Sequence, residues 1–169
     1  MQVLLENRWQ ARKVRWITWA FAVWAVGWVY WAWTVAETYG LSPGDGGVLR
    51  PLPERLGVAA GMVCVGVLPL AGMMLYLSIY LRRIERDGDA VVVTVLGLFA
   101  SAQHRYRVAD FEGAGRHDGQ LNLRSRVNAP WLTLRVAGRR LPYIVDVQAE
   151  RVEVAQIVAL GEPKRKRRT

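Results

Sequence analysis

The sequence predicts an α+β membrane protein in which a two-helix transmembrane hairpin precedes a β-rich domain that ends in one helix. The first observation is that two long stretches contain no charged residue, one from Trp16 to Ala36 and one from Leu56 to Leu81. The second is that short runs of β-branched residues, separated by turn residues, follow from residue 90 onward. Hydrophobic residues make up 52% of the 169-residue chain, which excludes a disordered protein. The single Cys64 excludes a disulfide scaffold, and with only two His residues in the chain it argues against a zinc site.

Each uncharged stretch is long enough to cross a bilayer as a helix. At a rise of about 1.5 Å per residue, the first stretch would span about 30 Å, the thickness of the hydrocarbon core. The second is longer than needed, so we expect it to tilt or to extend past the interface. Bulky Trp and Tyr residues near the end of the first stretch argue against a cleaved signal peptide, which ends in small residues. The predicted segments are a basic juxtamembrane segment 1–15, transmembrane helices 16–36 and 56–81, an external loop 37–55, a β domain with its C-terminal helix 88–161, and a basic tail 162–169.

The distribution of basic residues predicts the orientation in the membrane. The connecting loop holds only Arg50 and Arg55, whereas the outer flanks of the two stretches carry Arg8, Arg12, Lys13, Arg15, Arg82, Arg83 and Arg86. The positive-inside rule then places both termini in the cytoplasm. The many Arg and few Lys residues indicate a GC-rich bacterial genome, so we expect a multi-pass protein of the bacterial inner (plasma) membrane.

An aromatic stripe and a pair of glycines are the candidate partner-binding residues of the hairpin. Trp24, Trp28 and Trp31 follow the spacing i, i+4, i+7 and share one face of the first helix. This face could pack on the second helix or face lipid, or it could dock another membrane protein or a flat pigment, haem or quinone. Gly57 and Gly61 form a G-x-x-x-G spacing that lets a second backbone approach closely. We expect helix one of the same chain as their partner, with a helix of another protein as the alternative.

The β domain is predicted from alternation and turn signals. Asp118-Gly119 is a strong hairpin turn, because both residues tolerate a positive φ angle. Asp146 is expected to cap a helix that runs to Leu160 and stops at Gly161. The candidate strands are 90–99, 101–108, 111–117, 120–127, 131–137 and 141–145.

A meander of strands closed by one amphipathic helix is the element order of a pleckstrin-homology-like (PH-like) domain, an open barrel or sandwich; a simple β-sandwich remains the alternative. The two-helix hairpin followed by the run VVVTVLGLF resembles bacterial membrane proteins with such a domain. The layout is also similar to that of mitochondrial two-helix PH-like proteins, which act as assembly factors of respiratory complexes. This resemblance implies a cytoplasmic PH-like domain and a role in assembly, and it brings no set of functional residues.

Signatures of catalysis are missing from the sequence, so we expect a protein that is not an enzyme and has no cofactor of its own. The sequence contains no P-loop, H-E-x-x-H, G-x-S-x-G or C-x-x-C motif. His104 is predicted to pack within a strand, and His117 to be exposed beside a turn.

Three groups of basic residues are candidate sites for lipids or other anions. Arg8, Arg12 and Arg15 form a stripe at headgroup depth, which also serves as a topology signal. The β domain contributes Arg124, Arg126 and Arg135, which with Arg105, Arg107, Arg139 and Arg140 could form one positive face or simply a solvated surface. The tail Lys164, Arg165, Lys166, Arg167 and Arg168 could bind lipid phosphates or ribosomal RNA, or be a free end.

These features favour a non-catalytic accessory or assembly subunit of a larger inner-membrane complex, with respiratory and photosynthetic complexes as candidates. Its partners would be membrane lipids, including anionic headgroups, and the other subunits of that complex, with no role for DNA. One alternative is a stand-alone module that binds anionic lipid. Another is a ribosome tether that acts through the tail.

Overall fold

The computed structural model describes residues 1–117 and 130–161 and divides the chain into two units. One unit comprises Trp16–Leu75, and the other combines Met1–Arg15 with Tyr76–Thr169. The helices are α1 Trp9–Thr38, α2 Leu52–Ile79 and α3 Val154–Leu160. The strands are β1 Gln2–Glu6, β2 Leu81–Asp87, β3 Ala90–Val95, β4 Ala102–Arg107, β5 Phe111–His117, β6 Trp131–Val136, β7 Tyr143–Asp146 and β8 Arg151–Val152.

Two helices are long and apolar enough to cross a membrane. They are α1, with 30 residues, and α2, with 28 residues. Both extend beyond the predicted spans at the ends that adjoin the connecting loop, and Pro69 lies inside α2 without ending it. Arg55, near the start of α2, donates a hydrogen bond of 2.9 Å from its Nη1 to the carbonyl of Ala36 in α1. This bond satisfies one of the carbonyl groups that the C-terminal turn of α1 leaves without an intrahelical partner.

Small residues mark the place where α1 and α2 touch within the hairpin unit. Ala25, Ala32, Ala59 and Gly66 are buried there. A Cβ atom added to Gly66 would lie 2.5 Å from Cβ of Trp28, so only glycine fits against this indole. One close contact of the hairpin is therefore a glycine of α2 against a tryptophan of α1.

The other unit is built from two antiparallel sheets and α3. The five-stranded sheet has the order β4-β3-β2-β1-β8, and the three-stranded sheet has the order β5-β6-β7. Ile157 and Leu160 of α3 are buried in the core that the two sheets share. The other fully buried members of this core include Leu4, Leu5, Leu81, Ile84, Val91, Val93, Leu132, Leu134, Tyr143 and Val145. The predicted α+β class with two long apolar helices, antiparallel sheets and a C-terminal helix is confirmed.

Two of the three inner strands of the five-stranded sheet, β1 and β2, were not predicted. The segment 1–15 was predicted only as a basic juxtamembrane segment, but residues 2–6 form β1, which pairs with β2 and β8. The second helix was expected to reach Leu81, but it ends at Ile79 and β2 begins at Leu81. A β-bulge disrupts the register of each strand, so the buried residues do not alternate. Leu4 and Leu5 are adjacent and both buried, and Leu81 and Ile84 are three residues apart, a spacing that favours a helix.

The prediction of a long helix capped by Asp146 is wrong. Asp146 is the last residue of β7, and its Oδ1 accepts a hydrogen bond of 2.8 Å from the backbone N–H of Gln148. An aspartate that bonds to the backbone two residues later makes a turn, and the chain then forms β8 before α3 begins at Val154. The stop at Gly161 is confirmed.

The other strand predictions fall close to the observed strands. The strand 111–117 is confirmed at both ends, and the strands expected at 90–99, 101–108, 131–137 and 141–145 correspond to β3, β4, β6 and β7, with shifted or shorter bounds. The strand expected at 120–127 lies outside the described residues.

Candidate functional site

The aromatic stripe of α1 divides into an inward and an outward part. The three indoles form a ladder, with ring centroids 5.6 Å apart between Trp24 and Trp28 and 5.4 Å apart between Trp28 and Trp31. Trp28 is half-buried because it packs on Gly66. Trp24 remains 51% exposed and Trp31 56% exposed. The stripe is thus both a hairpin contact, through Trp28, and an outward surface, through its two flanking indoles.

The G-x-x-x-G spacing of α2 does not face α1. Gly57 and Gly61 are exposed, and a Cβ atom added to either would meet nothing within 4 Å among the residues that the structure describes. The expectation that helix one is their partner is therefore wrong, since Gly66 makes that contact. The sequence spacing alone could not distinguish the two, because all three glycines lie in one apolar helix.

The predicted stripe of Arg8, Arg12 and Arg15 is joined by Arg82, which was not among the predicted lipid-binding residues. Together these four side chains, with Ala11 and Leu96, line an open groove of about 320 Å³ that we call the arginine groove. Arg8, Arg12 and Arg15 come from the start of α1, whereas Arg82 comes from β2. Because β1 pairs with β2 and runs directly into α1, the sheet brings the two basic sequences together.

A carboxylate fixes the start of α1 beside this groove. Glu150 accepts hydrogen bonds from the backbone N–H groups of Arg8 and Trp9, at 3.1 Å and 2.7 Å. These N–H groups would otherwise lack an intrahelical partner, and a negative charge at a helix N-terminus is favourable. The contact orients the first turn of α1 and thereby the arginines that it carries.

The predicted positive face of the β domain is only partly present in the described residues. Arg135 is exposed on β6 of the three-stranded sheet, whereas Arg105 and Arg107 are exposed on β4 of the other sheet. Arg139 does not contribute to a free surface, because its guanidinium donates a hydrogen bond of 2.9 Å to the hydroxyl of Tyr143. Two further candidate groups lie outside the described residues: Arg124 and Arg126, and the tail residues Lys164, Arg165, Lys166, Arg167 and Arg168.

A polar network borders an open cavity of the β-rich unit. Asn7 is fully buried, and its Nδ2 donates a hydrogen bond of 2.8 Å to the hydroxyl of Tyr80. That hydroxyl in turn donates to Oδ2 of Asp146 at 3.2 Å. The cavity has a volume of about 450 Å³, and its lining includes Tyr76, Tyr80, Trp131, Ile144 and Asp146. Sequence reasoning missed this network because its three members come from three distant segments.

The two histidines are exposed on different strands, β4 and β5. His104 is exposed on β4, so the prediction that it packs within its strand is wrong. His117 is exposed as predicted, and its ring stacks on Trp131 with centroids 5.2 Å apart. Across residues 1–117 and 130–161, no group of three His, Cys, Asp or Glu side chains could hold a metal ion.

No protein-family model, curated protein or solved structure matches this chain. Its function is therefore inferred from the surfaces themselves, of which the outward tryptophans and the arginine groove are the most distinctive.

Proposed function

We propose that this protein is a non-catalytic accessory or assembly subunit of a larger complex in the bacterial inner membrane. In this proposal α1 and α2 cross the membrane, both termini are cytoplasmic, and the β-rich unit is a PH-like domain. The observation that supports the role most directly is the outward exposure of Trp24 and Trp31 near a tryptophan that already packs inside the hairpin.

An outward tryptophan in the middle of an apolar helix favours a protein partner over lipid. Tryptophan is enriched at the two membrane interfaces, where its N–H group finds polar partners, but Trp24 lies well inside the uncharged stretch. Large aromatic side chains are also the residues that most often dominate the binding energy of protein interfaces. Gly57 and Gly61 on α2 would provide a second contact for a partner helix, because their surface admits close backbone approach.

The experiment compares Trp24→Leu/Trp31→Leu with the wild type in membranes that contain equal amounts of each. Leucine keeps α1 apolar, so insertion should be unchanged, whereas loss of two hot-spot side chains should weaken association by about a hundredfold. The measurement is recovery of co-purifying subunits after gentle detergent extraction, by native gel and mass spectrometry.

The matched control is Trp16→Leu/Trp33→Leu, which removes two exposed tryptophans from the ends of the same uncharged stretch. This control should recover partners as well as the wild type does. Equal recovery with Trp24→Leu/Trp31→Leu would contradict the proposed docking face. A coloured or quinone-containing purified protein would instead indicate that the face contacts a cofactor-bearing partner.

The alternatives make different predictions in the same preparation. A stand-alone lipid-binding module would purify without stoichiometric subunits. A ribosome tether would co-sediment with ribosomes in a salt-sensitive manner, and deletion of residues 164–168 would abolish that association.

A further inference from the structure

Four arginines line the arginine groove, and only Arg8 forms a salt bridge with a carboxylate of the described residues. Among the described residues no carboxylate lines the groove, although Glu6 pairs with Arg8 at its edge, with Nη2 and Oε1 2.6 Å apart. Arg15 Nε donates to the carbonyl of Gly97 at 3.2 Å, and this acceptor carries no formal charge. Three guanidinium groups, those of Arg12, Arg15 and Arg82, therefore lack a salt-bridge partner within the described part of the chain.

Hydrogen bonds to a serine position two of the arginines that line the groove. The hydroxyl of Ser101 accepts hydrogen bonds from Arg15 at 3.5 Å and from Arg82 at 3.4 Å, so both positively charged side chains are attached to one neutral residue. Both arginines are half-buried, whereas Arg12 is exposed at the mouth. Partial burial strengthens their attraction for an anion, because the interaction is less screened by water.

We propose that Arg12, Arg15 and Arg82 bind the phosphate group of an anionic lipid. The planar guanidinium group matches the oxygen geometry of a phosphate and can donate two parallel hydrogen bonds to it. Arg15 directly precedes the uncharged stretch that begins at Trp16, and Arg12 lies about 4.5 Å further along the helix axis. In the proposed membrane placement, on which this inference rests, that is the depth of lipid headgroups.

The groove also lies next to an apolar stretch of the chain, which distinguishes a lipid from free phosphate. Ala11 and Leu96 line the groove but are buried, so they form its floor and not an open apolar surface. A lipid whose phosphate sits between the arginines would extend its acyl chains along the uncharged stretch that begins at Trp16, whereas inorganic phosphate has no apolar part to place there. Hence the ligand class that fits best is a lipid phosphodiester with a net negative charge, such as phosphatidylglycerol.

The test uses the full chain purified in a neutral detergent. It is titrated in separate arms with phosphatidylglycerol, phosphatidylcholine and inorganic phosphate, and bound lipid is counted by native mass spectrometry. We expect saturable binding of phosphatidylglycerol that is stronger than binding of phosphatidylcholine. Arg12→Gln/Arg82→Gln should weaken it by about tenfold or more, because charge-assisted hydrogen bonds are lost.

Two further variants keep the outcome interpretable. Arg105→Gln/Arg107→Gln removes the same charge from the exposed face of β4 and should bind phosphatidylglycerol like the wild type. Arg12→Lys/Arg82→Lys retains the charge without the planar fork and should lie between the wild type and the Gln variant.

Three results would overturn the proposal: equal binding of the two lipids, equal weakening by both Gln variants, or displacement of phosphatidylglycerol by stoichiometric inorganic phosphate. Recovery of co-purifying subunits with Arg12→Gln/Arg82→Gln, measured in parallel, should be normal. A failure of the lipid site is thereby separated from a failure of the proposed complex, which depends on Trp24 and Trp31.

Discussion

At the scale of single residues, the half-buried Arg139 connects a turn of the β-rich unit to two other elements, β7 and the end of α2. Its guanidinium donates hydrogen bonds to the hydroxyl of Tyr143 at 2.9 Å and to the carbonyl of Ser78 at 2.8 Å. The group also lies 4.0 Å from the centre of the Tyr143 ring, a favourable cation–π arrangement. Ser78 belongs to the last turn of α2, where carbonyl groups lack intrahelical partners and a positive charge is favourable.

Tyr143 should make the stability of the β-rich unit sensitive to alkaline pH. Burial raises the pKa of its phenol above the usual value, and the hydrogen bond with Tyr106 adds to the increase. A raised pKa means that the folded state retains a proton that the unfolded state loses at about pH 10. The contribution of Tyr143 to the free energy of unfolding is therefore fully present below about pH 10, and it decreases as the pH rises above that value.

The measurement is the thermal unfolding midpoint of the full chain in neutral detergent, followed by the strand signal in circular dichroism between about pH 8 and pH 11. Tyr143→Phe should begin with a lower midpoint, because the hydroxyl hydrogen bonds are lost, but should decline less with pH than the wild type. Tyr30→Phe, at an exposed position in α1, is the control and should decline as the wild type does. Parallel curves for Tyr143→Phe and the wild type would contradict this account.

At the scale of elements, β1 is an inner strand that connects β8 to the rest of the five-stranded sheet. It lies between β2 and β8, and it continues into α1 after only two residues. Its residues Leu4 and Leu5 are fully buried in the core that both sheets share. The first residues of the chain are therefore an integral part of the β-rich unit.

Leu5→Ala should destabilise this unit by about 2–5 kcal/mol, because a buried leucine leaves a cavity that neighbours fill only in part. Hydrogen exchange with mass spectrometry on the full chain in detergent is the appropriate readout, since it reports each segment separately. We expect faster exchange in residues 81–95, which pair directly or through β2 with β1, and unchanged exchange in residues 16–36. Gln2→Ala, an exposed position on the same strand, is the matched control, and equal exchange in both variants would refute an integral role for β1.

At the scale of the whole molecule, the proposed orientation can be tested directly. Basic residues flank the outer ends of the two apolar stretches, and the connecting loop has few, so both termini should be cytoplasmic. A reporter fused after Thr169 should be active only on the cytoplasmic side, and one inserted near Gly46 only on the opposite side. Matching activity at both positions, or the reverse pattern, would exclude a hairpin with this orientation.

The sequence by itself determined the features that depend on local composition. The signal for a spanning helix is the length and composition of the stretch itself, so α1 and α2 were predicted from residues 16–36 and 56–81 alone. The strand 111–117 was likewise predicted at both ends, between turn residues. The spacing of Trp24, Trp28 and Trp31 correctly indicated a shared face, because helical periodicity is local.

Only the tertiary structure decided which residues meet across long separations in sequence. The strands β1 and β2 contain bulges, so their buried residues lack the period of two that identifies a strand, and only their pairing reveals them. Gly66, not Gly57 or Gly61, packs on Trp28, because the rotation of α2 about its own axis depends on the whole hairpin. Arg82 joins the arginines of α1 because β1 pairs with β2, a contact between segments about eighty residues apart that no local pattern contains.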